Sequence, residues 1–178
     1  MTAATAHQTA GPYWHLIDFP EWADLLRPGG PNEHIPGQRI TLTGRITDGA
    51  GAAAPDAMVE IWQADPEGSY GPPFHGFGRC ATDADGVFRF TTLRPGAVPG
   101  LGNATQGPHI VLAIFARGLM KHLVTRAYFA GEPRNAEDPL LAAAGPRAGT
   151  LIAKETAPGS WRLDIVLQGN EETVFLDV

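Results

Sequence analysis

The segment GPHIVLAIFARG, residues 107–118, carries half of what a metal-binding strand needs. Residues two apart on a strand share a face, so a ligand pair here requires His109 and a second donor at position 111. Position 111 is Val. The remaining histidines, His7, His15, His34, His75 and His122, form no His-x-His or His-x₃-His pair that would build a second site. By residue type alone, His109 on an apolar strand face reads as a hydrogen-bonded core histidine, with metal binding as the sharper alternative. Tyr70, at the end of WQADPEGSY, reads as a buried phenol with a partner for its hydroxyl, and Trp62 in the same run as a core residue. Cys80 reads as a small buried residue beside a strand. Arg117 reads as a strand-end charge in a surface ion pair worth roughly 0–1 kcal/mol.

The elements that must position these residues are short. QRITLTGRIT alternates Ile40, Leu42, Gly44 and Ile46 with Arg39, Thr41, Thr43 and Arg45, one face buried and one wet. MVEIWQAD follows as a strand, and PEGSYGPPFHGFG, rich in Pro and Gly, as a long irregular loop of the kind that carries function. RCATDADGVFRFTTLRPG reads as a hairpin turning on Asp and Gly. After the loop AVPGLGNATQGP, both faces of residues 109–115 are mostly apolar, which suggests a central, doubly covered strand. LVTRAYFAG is its expected neighbour, and SWRLDIVLQG and ETVFLDV supply two more strands. Two short helices are expected, at PEWADLL and at DPLLAAAG, the second with Asp138 as N-cap, Pro139 at its first position and Gly145 beyond its end. The fold class is therefore all-β, a β-sandwich with long loops and one or two short helices. Residues 1–35 read as an arm laid on a partner or pocket, or across the chain's own surface, and 36–178 as the sandwich core.

Composition agrees. The 178 residues include 22 Gly and 16 Pro, too many for a helical bundle, spread between short alternating runs as turns are. A net charge of −6 leaves no electrostatic footprint for nucleic acid or an anionic membrane. One cysteine excludes an internal disulfide and fits a reducing compartment. The N-terminus MTAATAHQTAGPYW has neither a basic stretch nor an apolar run, so the cytoplasm is the expected location.

VEIWQADPEGSY, FGRCATDADGVFRFTTLRPG and GPHI, in that order and spacing, resemble the intradiol ring-cleaving dioxygenases, most closely the protocatechuate 3,4-dioxygenase family. QTAGPY, IFARG, YFAGE and IVLQGNEETVFLDV extend the resemblance over nearly the whole chain. It implies a non-haem ferric iron held by two tyrosines and two histidines, hard phenolates suiting a hard ion, with the catecholic substrate chelating it before O₂ attacks the ring. The first tyrosine of that pattern matches Tyr70, and the second falls on Val98 of PGAVP. The HIH pair falls on His109, Ile110 and Val111, and an arginine that precedes it falls on Gln106.

Two of four ligands are thus replaced by valines, which donate nothing. Within the family the resemblance implies the iron-free member of a two-chain enzyme: a homologous beta chain binds Fe(III), this chain binds no metal, and protocatechuate and O₂ react at the interface of the two. It further implies that Thr9, Ala10, Gly11, Pro12 and Tyr13 line the substrate pocket over the partner's iron, and that Arg117 meets the ring carboxylate or closes the pocket mouth. Two alternatives stand beside this expectation. One is a free-standing catalyst with altered ligands, the other a non-catalytic binding or scaffold sandwich with a degenerate metal site.

Overall fold

A computed structural model describes residues 19–100, 102 and 104–177. Eleven strands are present among them: β1 Arg39–Thr47, β2 Met58–Gln63, β3 Phe77–Ala81, β4 Val87–Leu93, β5 Val98–Pro99, β6 Thr105–Gln106, β7 His109–Phe115, β8 Leu123–Phe129, β9 Ile152–Ala157, β10 Ser160–Arg162 and β11 Ile165–Val166. One layer runs β4–β1–β10/β11, with β1 antiparallel to β4 and parallel to β10 and β11. The other runs β3–β2–β7–β8, antiparallel throughout. β9 starts parallel beside β8 and continues antiparallel beside β10, so it joins the two layers into a nearly closed sandwich.

The alternation read from the sequence is what fills the space between the layers. Ile40, Leu42 and Ile46 of β1 meet Phe88 and Phe90 of β4, and across from them lie Val59, Ile61, Ile110, Leu112 and Ile114. Cys80 is buried with them. β7 is central, between β2 and β8, but its second face, Val111, Ala113 and Phe115, is only half-buried, so it is not doubly covered as expected.

Three expectations need correction. RCATDADGVFRFTTLRPG is not a hairpin: β3 pairs with β2, and β4 pairs with β1. The Asp83–Gly86 turn closes locally, with Asp83 N–H on the Val87 carbonyl (3.0 Å), but Thr82 then bonds to Ala57 (2.8 Å) while Gly86 accepts from Ile46 (2.8 Å). Each arm of the turn is claimed by a different layer, making the turn a corner between sheets. PEWADLL forms only a 3-10 turn, Pro20–Ala23, because Leu25 N–H bonds to the Thr91 carbonyl (2.9 Å) and pulls the chain into extended form. Leu25 and Leu26 enter the sandwich core, so this part of the expected arm packs on its own fold. ETVFLDV is no regular strand but a strap: Thr173 N–H bonds to Val166 of β11 (3.0 Å) and Leu176 N–H to Val124 of β8 (2.7 Å).

The second helix, α1 Pro139–Ala144, forms as expected. The buried Asp138 carboxylate accepts from Leu140 N–H (2.8 Å) and Leu141 N–H (3.1 Å), and Gly145 follows at a φ of 56°. Two 3-10 turns, Pro133–Glu137 and Gly145–Leu151, flank it. Among the described residues, no helix is long and apolar enough to cross a membrane.

Candidate functional site

Of the positions that the resemblance matches to ligands, His109 and Val111 lie on β7 of the β3–β2–β7–β8 layer, Tyr70 on the loop after β2 and Val98 on β5. Strand register sets Phe77, Trp62, Val111 and Arg126 side by side across the outward face of that layer, with His109 opposite Tyr128 one step along. Tyr70 leans over this face from the loop after β2, its ring parallel to Trp62 at 6.0 Å between centroids.

That loop is held in place by its own turn. The Asp65 carboxylate accepts from Glu67 N–H (2.9 Å) and Ser69 N–H (2.8 Å), and Gly96 N–H donates to the Asp65 carbonyl (2.8 Å). Gly68 has a φ of +84°, and a Cβ there would lie 1.9 Å from the Ala97 carbonyl oxygen. Only glycine lets residues 65–69 pack this closely against 96–97, which brings the Tyr70 loop up to Val98. Val98, 4 % exposed, lies in β5 opposite Gln106 of β6 and lines an open cleft of 510 Å³ together with Glu67, Ser69, Thr105 and Arg134.

The structure corrects two expectations here. Trp62 is 45 % exposed and Tyr70 46 %, because β2 turns Val59, Ile61 and Gln63 inward and leaves Trp62 on the outer face for Tyr70 to stack on. Neither is a core residue. Burial of part of its ring still raises the Tyr70 phenol above its ordinary pKa, while the Arg126 charge partly opposes that shift.

His109 is the buried, hydrogen-bonded histidine expected. Its Nδ1–H donates to the Gly107 carbonyl (2.7 Å), and its ring lies 5.4 Å from that of Tyr128. Burial, helped by the Arg126 charge, pulls its pKa down to about 4, so the ring is neutral in the fold. An unfolded histidine takes up its proton near pH 6.5, so the unfolded chain binds more protons than the folded one between that pH and 4. The stability His109 contributes is therefore complete above pH 6.5 and is lost as pH falls toward 4. Urea unfolding across this range should show a steeper acid loss for the parent chain than for His109→Gln, and parallel curves would count against a neutral buried ring.

Around His109 runs a polar network whose assembly was not expected. Arg126 Nη1 donates to Gln106 Oε1 (2.5 Å) and to the Tyr128 hydroxyl (3.1 Å), and Tyr128 donates to Asp138 Oδ1 (3.2 Å). The other Asp138 oxygen accepts from Gly107 N–H (2.8 Å). Burial raises the Tyr128 phenol to about 12, so it stays protonated and donates. The sequence signal for Arg126 is its place: a charge within the apolar run LVTRAYF, on the strand expected beside 109–115.

Arg117 stands apart at the end of β7, its side chain 80 % exposed and 3.3 Å from Asp56, as a strand-end ion pair would be. His34, His75 and His122 are exposed on three different loops, with His122 stacked on Phe115. Thr9, Ala10, Gly11, Pro12, Tyr13, His7 and His15 lie outside the described residues.

A sandwich of this topology, with Tyr70 stacked on Trp62 over the layer that carries His109, is the frame of a ring-cleaving dioxygenase, and the chain belongs to the Dioxygenase family, whose profile matches residues 11–169. It is 38 % identical to the protocatechuate 3,4-dioxygenase alpha chain of Pseudomonas putida, over 97 % of this chain and 96 % of that one. It is also 35 % identical to the protocatechuate 3,4-dioxygenase beta chain of Burkholderia cepacia, over 84 % of this chain and 73 % of the other. Among solved structures, the dioxygenase domain of a carbohydrate-binding fusion protein from Streptomyces sp. SirexAA-E superposes with a TM-score of 0.65 at 29 % identity, covering 97 % of this chain and all of that one.

The intradiol dioxygenases are a non-haem iron family. The donor set of this chain does not fit that iron. Val98 and Val111 present only methyl groups, and Arg126, a cation, lies beside Val111 in the register. Of the four positions that the resemblance matches to ligands, only Tyr70 and His109 carry a donor, half of the set that a ferric ion takes in that pattern.

Proposed function

We propose that this chain is the iron-free alpha subunit of a protocatechuate 3,4-dioxygenase, completing the active-site pocket of a homologous beta chain that binds Fe(III). The observation that carries this reading is the disabled ligand set inside an otherwise intact family sandwich. A chain that keeps the fold over its whole length and has lost half of its donors serves a function other than holding metal. The assembled pair adds both atoms of O₂ across the bond between the two hydroxylated ring carbons of protocatechuate, giving 3-carboxy-cis,cis-muconate. Its location is the cytoplasm.

In this reading Thr9, Gly11, Pro12 and Tyr13 form one wall of the substrate pocket, where glycine and bare backbone allow close approach to the ring. Arg117, exposed and paired with the exposed Asp56, is available to a ring carboxylate or to the pocket mouth. Arg117→Ala in the assembled complex should therefore weaken binding of protocatechuate about tenfold more than binding of plain catechol, the loss of one charge-assisted hydrogen bond. Steady-state kinetics on both substrates measures it. Equal loss on the two points to damaged assembly and removes Arg117 from the pocket.

A further inference from the structure

We propose that Arg126 is the residue that excludes metal from this chain, its guanidinium supplying a fixed positive charge where the family's donors would converge. The inference rests on the family's ligand positions and stands whether or not the chain has a catalytic partner.

The register carries it. Arg126 is the direct cross-strand neighbour of Val111, one lost ligand position. Gln106 is the direct cross-strand neighbour of Val98, the other. Arg126 Nη1 donates to Gln106 Oε1 at 2.5 Å, so the guanidinium spans from one lost position to the partner of the second. The Tyr128 hydroxyl, 3.1 Å away, holds it from the other side. The two donors that remain, Tyr70 and His109, both lie within the field of that charge.

Position 106 is where the family pattern places an arginine and this chain has Gln. In this chain a charge reaches the same place from β8, where Arg126 donates to that same Gln106. Arg126 Nε is buried and has no hydrogen-bond partner among the described residues, so the guanidinium is held by Nη1 with its Nε–H left over. A guanidinium cannot be deprotonated to make room for a metal ion, and like charges repel strongly in a partly buried site. Loss of metal binding is therefore built in twice, by removal of donors and by installation of a cation.

This has a consequence that the donor count alone does not give. Restoring donors with Val98→Tyr and Val111→His should leave the chain nearly iron-free, whereas adding Arg126→Gln, which removes the charge and keeps a hydrogen-bonding side chain, should raise bound iron at least tenfold. Metal analysis of the full chain after ferric or aerobic ferrous loading, with visible phenolate-to-iron absorption, reads this without any activity assay. Arg126→Lys in the restored background separates charge from geometry and should stay as iron-poor as the arginine version. A cooperative thermal transition establishes that each variant is folded. Should Val98→Tyr prevent folding, the same comparison is made on Val111→His alone, with and without Arg126→Gln. Equal iron in the arginine and glutamine versions, at any level, overturns the proposal, as does a Lys version that loads like the Gln version.

Discussion

Asp138→Ala is expected to cost about 4 kcal/mol of folding stability, the largest single effect on this chain outside its apolar core. The Asp138 side chain is fully buried and accepts four hydrogen bonds: Leu140 and Leu141 N–H at the start of α1, Gly107 N–H at 2.8 Å, and the Tyr128 hydroxyl at 3.2 Å. Alanine removes the helix N-cap, worth about 1 kcal/mol, and strands two further buried donors at roughly 1–3 kcal/mol each. Asp138→Asn retains one acceptor oxygen and should lose about half as much. Urea unfolding of the three chains measures the difference, and a loss below about 1 kcal/mol for Asp138→Ala would mean that the cap alone matters. The effect also reaches the site, because Asp138 holds Tyr128, and Tyr128 helps hold Arg126.

Gly44→Ala is expected to cost about 3 kcal/mol, although Gly44 has an ordinary backbone conformation and lies in the middle of a regular strand. A Cβ there would fall 1.9 Å from the Leu163 carbonyl oxygen and 2.5 Å from the Phe88 ring. The reason lies in the break between β10 and β11, which pair with β1 on the same side, before and after Gly44. At the break Leu163 N–H bonds to the Thr43 carbonyl (2.9 Å) and the Asp164 carboxylate accepts from Arg45 N–H (2.9 Å), pulling that backbone against Gly44. Backbone cannot yield as a flexible side chain does, so the alanine chain must move a strand. Thermal unfolding of the two chains tests this, and a change below about 1 kcal/mol would show that the break relaxes.

The parts of this fold written locally were legible in the sequence. Period-two alternation marked β1, short apolar runs marked β2 and β7 as strands, and Asp138–Pro139 with Gly145 marked α1. What depended on distant strands was not. The Asp83–Gly86 turn has hairpin residues, yet its arms part because Ala57 and Ile46 claim them. Ile152–Ala157 shows no alternation, with four exposed residues in succession, since β9 is an edge shared between layers. Trp62 looked like core because it is large and apolar, but strand parity overrides residue type: with Ile61 and Gln63 inward, Trp62 faces out.

At the site, the losses at Val98 and Val111 were visible in the sequence, as was the hydrogen-bonded character of His109. Arg126 was not, because its meaning comes from the cross-strand register that places it opposite Val111, and a single strand does not show its neighbour's offset. The same register ties together Gln106, Tyr128 and Asp138, which stand up to 32 positions apart in the chain and share one network.

The division of labour between the two chains is read most directly from the iron content and ring-cleavage activity of this chain alone, and again after co-expression with a homologous chain bearing the complete HIH strand. A colourless, inactive lone chain is expected, and a co-purifying pair with about one iron per two chains that cleaves protocatechuate. Stoichiometric iron and turnover in the lone chain would contradict that division, since Val98, Val111 and Arg126 leave no donor set able to hold that metal.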